Sequence, residues 1–90
     1  MEILLYTRHG CHLCDDAKAL LGALAAEYPH RLREVDIAAD RDLMVRYGLT
    51  IPVLQMGGRE LAAPIDEQRL RAFLAAAADL AYGVDDGHGQ

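Results

Sequence analysis

The sequence has no basic cluster, no apolar run long enough to cross a bilayer, and only two cysteines. Without a basic cluster and with a net charge of −5, it lacks the electrostatic footprint of a nucleic-acid-binding protein. The longest apolar block, 70–82, is interrupted by Arg71 and Asp79, so we expect no membrane span. Glu2 and Arg8 fall where a signal peptide would be apolar, so we expect a cytoplasmic protein.

The composition is that of one folded domain. Hydrophobic residues make up 52% of the chain and charged residues 26%, with a mean hydropathy of +0.02, which excludes a disordered chain. Ninety residues leave too little chain for a second core. We therefore expect a single domain over 1–82, followed by a flexible tail over 83–90 that is rich in Gly, Asp and His.

The first half of the chain has the pattern of a strand, a helix and a second strand. Glu2–Thr7 is a nearly continuous apolar run, which favours a buried strand. From Leu13 to Tyr28 the apolar residues follow helical spacing, and Pro29 would end this helix. The segment 31–37 alternates polar and apolar residues over its second half and predicts the second strand.

The second half has the pattern of a short helix, a hairpin and a last helix. Asp40 is a candidate N-cap for the short helix, which Gly48 would close in the left-handed conformation. The segment 51–61 contains a Gly-Gly turn between two apolar runs and predicts a β-hairpin. Asp66 would cap the last helix, over 67–82. The order β-α-β-α-β-β-α predicts an α/β fold with a mixed four-stranded sheet and three helices.

The two cysteines, Cys11 and Cys14, lie in one Cys-x-x-Cys motif between the first strand and the first helix. A disulfide over so short a loop would stabilise the fold little, so the pair indicates chemistry. Cys11 would lie at the helix N-terminus, where free N–H groups and the helix dipole favour a thiolate nucleophile. Cys14, one turn later, would resolve the mixed disulfide. Two buried cysteines acting as small hydrophobes are the structural alternative.

The neighbours of the pair would tune its reactivity. His12 and Leu13 lie between the two cysteines, and a protonated His12 would favour the thiolate. Asp15 and Asp16 would oppose it, and Arg8, three residues before the first cysteine, would offset them.

Thr50-Ile51-Pro52 opens the predicted third strand. Proline cannot donate a ladder hydrogen bond, so it belongs at a strand start or a special turn. From this segment alone a trans peptide bond before Pro52 is expected.

Tyr6-Thr7-Arg8-x-x-Cys11-His12-Leu13-Cys14, followed by Thr50-Ile51-Pro52-Val53, resembles the glutaredoxin-like members of the thioredoxin superfamily, and in particular the small bacterial glutaredoxin-like proteins. The resemblance covers 2–82. It implies a thioredoxin fold, a thiol–disulfide oxidoreductase activity and a cis Pro52 beside the disulfide. It also implies that the backbone of Ile51 is free to pair with an extended substrate, and that Arg8 matches a lysine that helps to bind glutathione.

The chain departs from the glutaredoxin pattern at two places. His12-Leu13 replaces Pro-Tyr between the cysteines, which changes the redox potential. The segment 61–66 replaces the Gly-Gly and acidic pair that hold the γ-glutamyl end of glutathione. We therefore expect no bound cofactor and a monomer that acts on a disulfide-bearing protein or a small thiol, with glutathione or another thiol as co-substrate.

Two other functions stay open from the sequence. Cys11 and Cys14 supply two of the four ligands that zinc takes, so a dimer could hold zinc or an iron–sulfur cluster, although one chain has no complete metal site. The chain could also be a non-catalytic binding module that uses the edge at Ile51.

Overall fold

The computed structural model describes residues 1–77, in which a mixed four-stranded sheet is covered by helices. The strands are β1 (Glu2–Thr7), β2 (Arg31–Asp36), β3 (Val53–Met56) and β4 (Arg59–Ala62). The helices are α1 (His12–Ala23), α2 (Arg41–Tyr47) and α3 over 67–77, and a 3-10 turn at Ile37–Ala39 joins β2 to α2. The predicted α/β class and the order of the elements are confirmed.

The sheet has the strand order β2-β1-β3-β4. β1 and β2 are parallel, with Thr7 opposite Asp36, and β1 and β3 are antiparallel, with Tyr6 opposite Val53. β3 and β4 form the predicted hairpin, and both glycines of its 57–58 turn have positive φ angles. The carboxyl ends of β1 and β2 and the amino end of β3 therefore lie at the same end of the sheet.

The apolar residues form two clusters of different size. Alternation along β1 directs Ile3 and Leu5 into the main core, and both are fully buried. The main core also contains residues of α1, β3, β4 and α3, namely Leu21, Leu24, Leu54, Leu61, Leu70, Phe73 and Leu74. The smaller cluster contains Ile37, Tyr47 and Val53, against which Tyr6 and the α2 residues Leu43 and Met44 pack.

Three predicted boundaries are wrong. α1 ends at Ala23, five residues before Tyr28, because the chain leaves the helix in a turn that still packs Tyr28 against the main core. β2 ends at Asp36, because the next residue begins the 3-10 turn. β3 begins at Val53, two residues after Ile51, because the intervening proline cannot donate to the ladder.

The predicted left-handed cap at Gly48 is also wrong. This residue has φ −54° and ψ −31°, which is right-handed helical geometry. Its N–H still donates to the carbonyl oxygen of Met44 over 2.9 Å, so α2 continues one residue further before the chain turns.

Both predicted N-caps are confirmed. The Asp40 carboxylate accepts hydrogen bonds from the N–H groups of Asp42 and Leu43, at 2.9 and 3.2 Å. The Asp66 carboxylate accepts one from the N–H of Arg69 at 2.7 Å. These bonds satisfy donors that have no partner within the helix. The last predicted turn of α3, 78–82, and the predicted tail, 83–90, lie outside the described residues.

Candidate active site

The Cys-x-x-Cys motif lies where β1 passes into α1. The connecting loop turns at Gly10, whose φ of +82° is a conformation that favours glycine. The N–H of Cys11 then donates to the carbonyl oxygen of Arg8 over 3.2 Å. Cys11 is the N-cap of α1 in extended geometry, so its side chain lies at the positive end of the helix.

The two sulfur atoms form a disulfide bond, with 5.3 Å between the Cα atoms of Cys11 and Cys14. The backbone N–H of Cys14 donates to Sγ of Cys11 over 3.1 Å, so the sulfur takes the place of the oxygen of an ordinary N-cap. Cys14 is buried, with 1% of its surface exposed, whereas Cys11 is half-buried. Cys11 is therefore the more accessible of the two cysteines.

The two residues between the cysteines differ in polarity. His12 begins α1 and is exposed. Leu13 follows it and is 54% exposed. Together they form a polar and an apolar contact point directly next to Cys11.

The Ile51–Pro52 peptide bond is cis, as the resemblance implies and in contrast to the trans bond expected from the segment alone. The side chain of Pro52 is less than 2% exposed. Tyr6 pairs with Val53, so Pro52 lies at the end of the sheet where β1 passes into the Cys11 loop. The Cys-x-x-Cys loop and Pro52 therefore lie at the same end of the sheet.

The expectation that the backbone of Ile51 is free is wrong for its N–H. This group donates a hydrogen bond to the carbonyl oxygen of Tyr47 over 3.1 Å. The last carbonyls of a helix have no donor within the helix, and the chain after α2 turns back far enough for Ile51 to supply one. Beside it, the carbonyl of Thr50 accepts the N–H of Ala63 at 3.4 Å. The N–H of Ile51 is available to another acceptor only when its bond to Tyr47 breaks.

A surface cavity of about 540 Å³ lies on the β2 side of Cys11. Its lining consists of Thr7, Arg8, His9, Gly10, Cys11, Asp15, Lys18, Glu34 and Asp36. Arg8, predicted as a substrate-binding residue, is exposed at this cavity. The side of the candidate site that faces β2 is therefore charged, and Pro52 is buried.

Lys18 organises the charged side. Its Nζ lies 3.4 Å from Oδ1 of Asp15 and 3.4 Å from Oε1 of Glu34. The hydrogen bond to Glu34, with smaller effects from Asp15, raises the pKa of the Lys18 ammonium group above its usual value. Because these side chains are exposed, the pairs add little to stability. They do place one ammonium group and two carboxylates at the cavity that Cys11 lines.

Three residues at this cavity were not predicted as neighbours of Cys11, namely Lys18, Glu34 and Asp36. A signal was present, because the carboxyl ends of adjacent parallel strands meet at one edge and Asp36 ends the strand next to β1. The Asp36 carboxylate also has a hydrogen-bond partner nearby in sequence, because its Oδ1 accepts the N–H of Ala38 at 2.9 Å.

The segment 61–66 offers no glycine pair. Asp66, its acidic residue, caps α3 through Arg69, whose side chain also hydrogen-bonds to the carbonyl oxygen of Pro64. Over residues 1–77, no group of three or more His, Cys, Asp or Glu side chains is arranged to hold a metal ion. In the same part of the chain, no helix is both long and apolar enough to span a membrane.

Solved structures share this arrangement of strands and helices. Protein XcR50 from X. campestris has a TM-score of 0.73 and 46% identity, over 83% of this chain and 97% of that one. Protein Ne2328 from Nitrosomonas europaea has a TM-score of 0.71 and 29% identity, over 81% of this chain and 89% of that one. Thioredoxin O2 from Arabidopsis thaliana shares the fold, with a TM-score of 0.61 and 21% identity over 83% of this chain and 72% of that one.

The strand order, the helices and the Cys-x-x-Cys motif at a helix N-terminus define a protein with a thioredoxin-like fold. Within that class, the glutaredoxin-like domain (DUF836) matches residues 2–75, and the chain belongs to this family. The Mycobacterium tuberculosis protein Rv0508 is 34% identical to it over an alignment of 80 residues that covers 82% of each chain.

Proposed function

We propose that the protein is a thiol–disulfide oxidoreductase that reduces disulfide bonds through Cys11 and Cys14. The observation that carries the proposal is the unequal placement of the two sulfurs. Cys11 is accessible at the N-cap of α1, and Cys14 is buried one turn behind it within bonding distance. One thiol that meets substrate and one that is held in reserve are what a two-step exchange needs.

In the first step, the Cys11 thiolate attacks one sulfur of the substrate disulfide. A mixed disulfide forms, and the other substrate sulfur leaves as a thiolate that takes up a proton. In the second step Cys14 loses its proton and attacks Sγ of Cys11, which releases the second substrate thiol. The substrate has gained two electrons and two protons, and the protein is left with the Cys11–Cys14 disulfide. An external thiol reductant returns both cysteines to the reduced state.

The helix N-terminus supports the first step. The N–H of Cys14 donates to Sγ of Cys11 in the oxidised protein, and the same donor would stabilise a thiolate at this position. In the second step, burial of Cys14 keeps this thiol away from other reactants until the mixed disulfide has formed.

The surroundings of Cys11 support the substrate-binding roles that we propose for its neighbours. His12 and Leu13 contact the part of the substrate nearest the reacting sulfur, and Leu13 offers it an exposed apolar surface. Thr50, Ile51 and the cis Pro52 form the other wall, along which an extended chain pairs. Arg8 lies on the charged side and attracts a carboxylate of the substrate or of a small thiol.

The reductant that we propose is a low-molecular-weight thiol or a dithiol protein in a reducing compartment such as the cytoplasm. If glutathione is the reductant, its γ-glutamyl end has no glycine pair to bind, because the segment 61–66 contains none. Asp66, the acidic residue of this segment, already caps α3. Another thiol is therefore an equal candidate. We propose that the chain acts as a monomer on a disulfide-bearing protein.

The test compares the wild-type protein with Cys14→Ser and Cys11→Ser. Wild type should reduce the disulfides of insulin in the presence of dithiothreitol faster than dithiothreitol alone. Cys14→Ser should accumulate a mixed disulfide with insulin, which non-reducing electrophoresis and mass spectrometry detect at Cys11. Cys11→Ser should do neither.

No acceleration by the wild type, and no trapped complex, would contradict the proposal and favour a non-catalytic binding module. An absorption band in the visible range, in protein purified under reducing conditions, would favour an iron–sulfur cluster shared by two chains.

A further inference from the structure

The side chain of Tyr47, the last residue of α2, has contacts with three other side chains. The residue is 4% exposed, and its ring stacks on that of Tyr6 with 4.4 Å between centroids and 20° between planes. The hydroxyl donates to Oε2 of Glu60 over 2.5 Å, and this bond is the largest factor that raises the pKa of Tyr47. The guanidinium of Arg46 lies 5.9 Å from the ring centroid. The side chain is therefore fixed to β1 and to β4.

The main chain of the same residue holds the substrate-facing loop. The carbonyl oxygen of Tyr47 accepts the N–H of Thr50 at 2.9 Å and the N–H of Ile51 at 3.1 Å. It also accepts the hydroxyl of Thr50 at 3.3 Å. Ile51 is the residue directly before the cis Pro52, so this carbonyl holds the backbone next to Pro52.

Three donors share one carbonyl oxygen, which has only two lone pairs. Each bond is therefore weaker than a single, undivided one, and the loss of one donor leaves the other two better satisfied. If an incoming backbone carbonyl takes the N–H of Ile51, both donors of Thr50 remain on Tyr47. The exchange of partners leaves no buried group without a hydrogen bond, so it costs little free energy.

We propose that Tyr47 is a positioning residue for substrate docking, which holds Thr50 and Ile51 in register and yields the N–H of Ile51 to the backbone of an extended substrate. The ring contacts with Tyr6 and Glu60 fix the carbonyl, and the carbonyl fixes the loop. The statement about substrate rests on the proposed disulfide reduction, whereas the statement about the loop does not.

The loop is tested by amide hydrogen exchange in the oxidised protein without substrate. Tyr47→Phe and Glu60→Ala each remove the hydroxyl–carboxylate bond and should accelerate exchange at Thr50 and Ile51 by about five-fold, the factor that corresponds to about 1 kcal/mol. Glu60→Gln retains an acceptor oxygen and should restore the slow exchange. Tyr28→Phe, which removes a tyrosine hydroxyl at the main core, is the matched control.

Amides of β1 serve as the internal reference, because a merely destabilised protein exchanges faster everywhere. Acceleration confined to Thr50 and Ile51 supports the proposal. Equal acceleration in β1, or none at Thr50 and Ile51, overturns it whether or not the protein is an enzyme.

The docking role is tested by kinetics on two substrates. Insulin offers backbone to pair with Ile51, whereas 5,5′-dithiobis(2-nitrobenzoate) is a small aromatic disulfide without a peptide backbone. Tyr47→Phe should raise KM for insulin about five-fold with kcat unchanged, and leave the rate with the small disulfide as in wild type. An equal change with both substrates overturns the docking role.

Wild-type protein that reduces neither substrate would refute the proposed function, and the hydrogen-exchange result would still decide whether Tyr47 positions the loop.

Discussion

A Cβ atom on Gly48 would lie 2.5 Å from the carbonyl oxygen of Met44, closer than side-chain carbons approach backbone oxygens. The N–H of Gly48 donates to the same oxygen, so neither group can move aside without breaking the end of α2. We expect Gly48→Ala to lower the free energy of unfolding by about 1–3 kcal/mol, the usual cost of a forced contact. Urea denaturation followed by circular dichroism measures it.

Gly22→Ala is the matched control. Gly22 lies near the end of α1, and a Cβ atom there would meet no atom within 4 Å. Since alanine forms helix better than glycine, we expect the free energy of unfolding to rise by up to about 1 kcal/mol. If both variants lose the same stability, the close approach of Gly48 to Met44 is not the cause.

Gly48 also illustrates what the sequence could and could not predict. A glycine after a helical pattern predicts that the helix ends there, which is nearly correct. The usual reason, a left-handed cap, is wrong, because the glycine is needed for a close approach between backbones. The sequence shows that residue 48 has no side chain. It does not show which backbone atom a side chain at this position would contact.

The end of α1 shows a second limit. Leu24 and Tyr28 continue the helical spacing, and both pack on the main core, yet the helix ends at Ala23. The N–H of Tyr28 donates to the carbonyl of Leu24 over 2.8 Å, so an isolated turn places the ring on the same face as a continued helix would. The spacing of buried residues therefore does not distinguish a continued helix from a helix followed by an isolated turn.

The candidate site was predictable where it is local in sequence. Cys11 and Cys14 are three residues apart, and their position between a strand and a helix defines their geometry. The interaction of Tyr47 with Glu60 joins residues 13 apart, and its stacking on Tyr6 joins residues from different elements. No local pattern distinguishes these aromatic residues from ordinary core packing.

The N-cap of α2 should matter for stability because it supports the helix that ends at Tyr47. Asp40→Ala removes the acceptor of the N–H groups of Asp42 and Leu43, and we expect a loss of about 1 kcal/mol. For a domain of this size the melting temperature falls by about 4–8 °C. Asp40→Asn keeps an acceptor oxygen and should remain close to wild type in a thermal melt. A large loss for Asn as well would mean that the charge, and not the hydrogen bond, is what α2 requires.

Tyr47 should make stability depend on pH in the alkaline range. Its hydrogen bond to Glu60, together with burial and the charge of Glu60, raises the pKa of Tyr47 from its ordinary value, and Arg46 opposes this in part. A raised pKa means that the folded state binds the proton more tightly. The resulting stability is therefore complete below pH ~10 and is lost as the pH rises through the folded-state pKa.

The measurement is urea denaturation of wild type and Tyr47→Phe from about pH 8 to about pH 12. Groups that titrate in both proteins cancel in the difference. Wild type should be the more stable protein at the lower pH, and its advantage should shrink as the pH rises. An advantage that is constant or grows over this range would contradict a neutral, donating Tyr47 hydroxyl.

The two cysteines should differ in their reaction with alkylating reagents once the disulfide is reduced. Cys11 is half-buried at the N-cap, whereas Cys14 is 1% exposed. Only a sulfur that the reagent can reach is alkylated, and the helix N-terminus favours the reactive thiolate at Cys11. With one equivalent of iodoacetamide at pH 7, we expect the label on Cys11 in at least ten-fold excess over Cys14, measured by peptide mass spectrometry. The reduced protein in about 6 M guanidinium chloride is the control, in which unfolding should remove the preference. Equal labelling in the folded protein would mean that the reduced pair is not arranged as one exposed and one reserved thiol, and the two-step exchange would lose its structural basis.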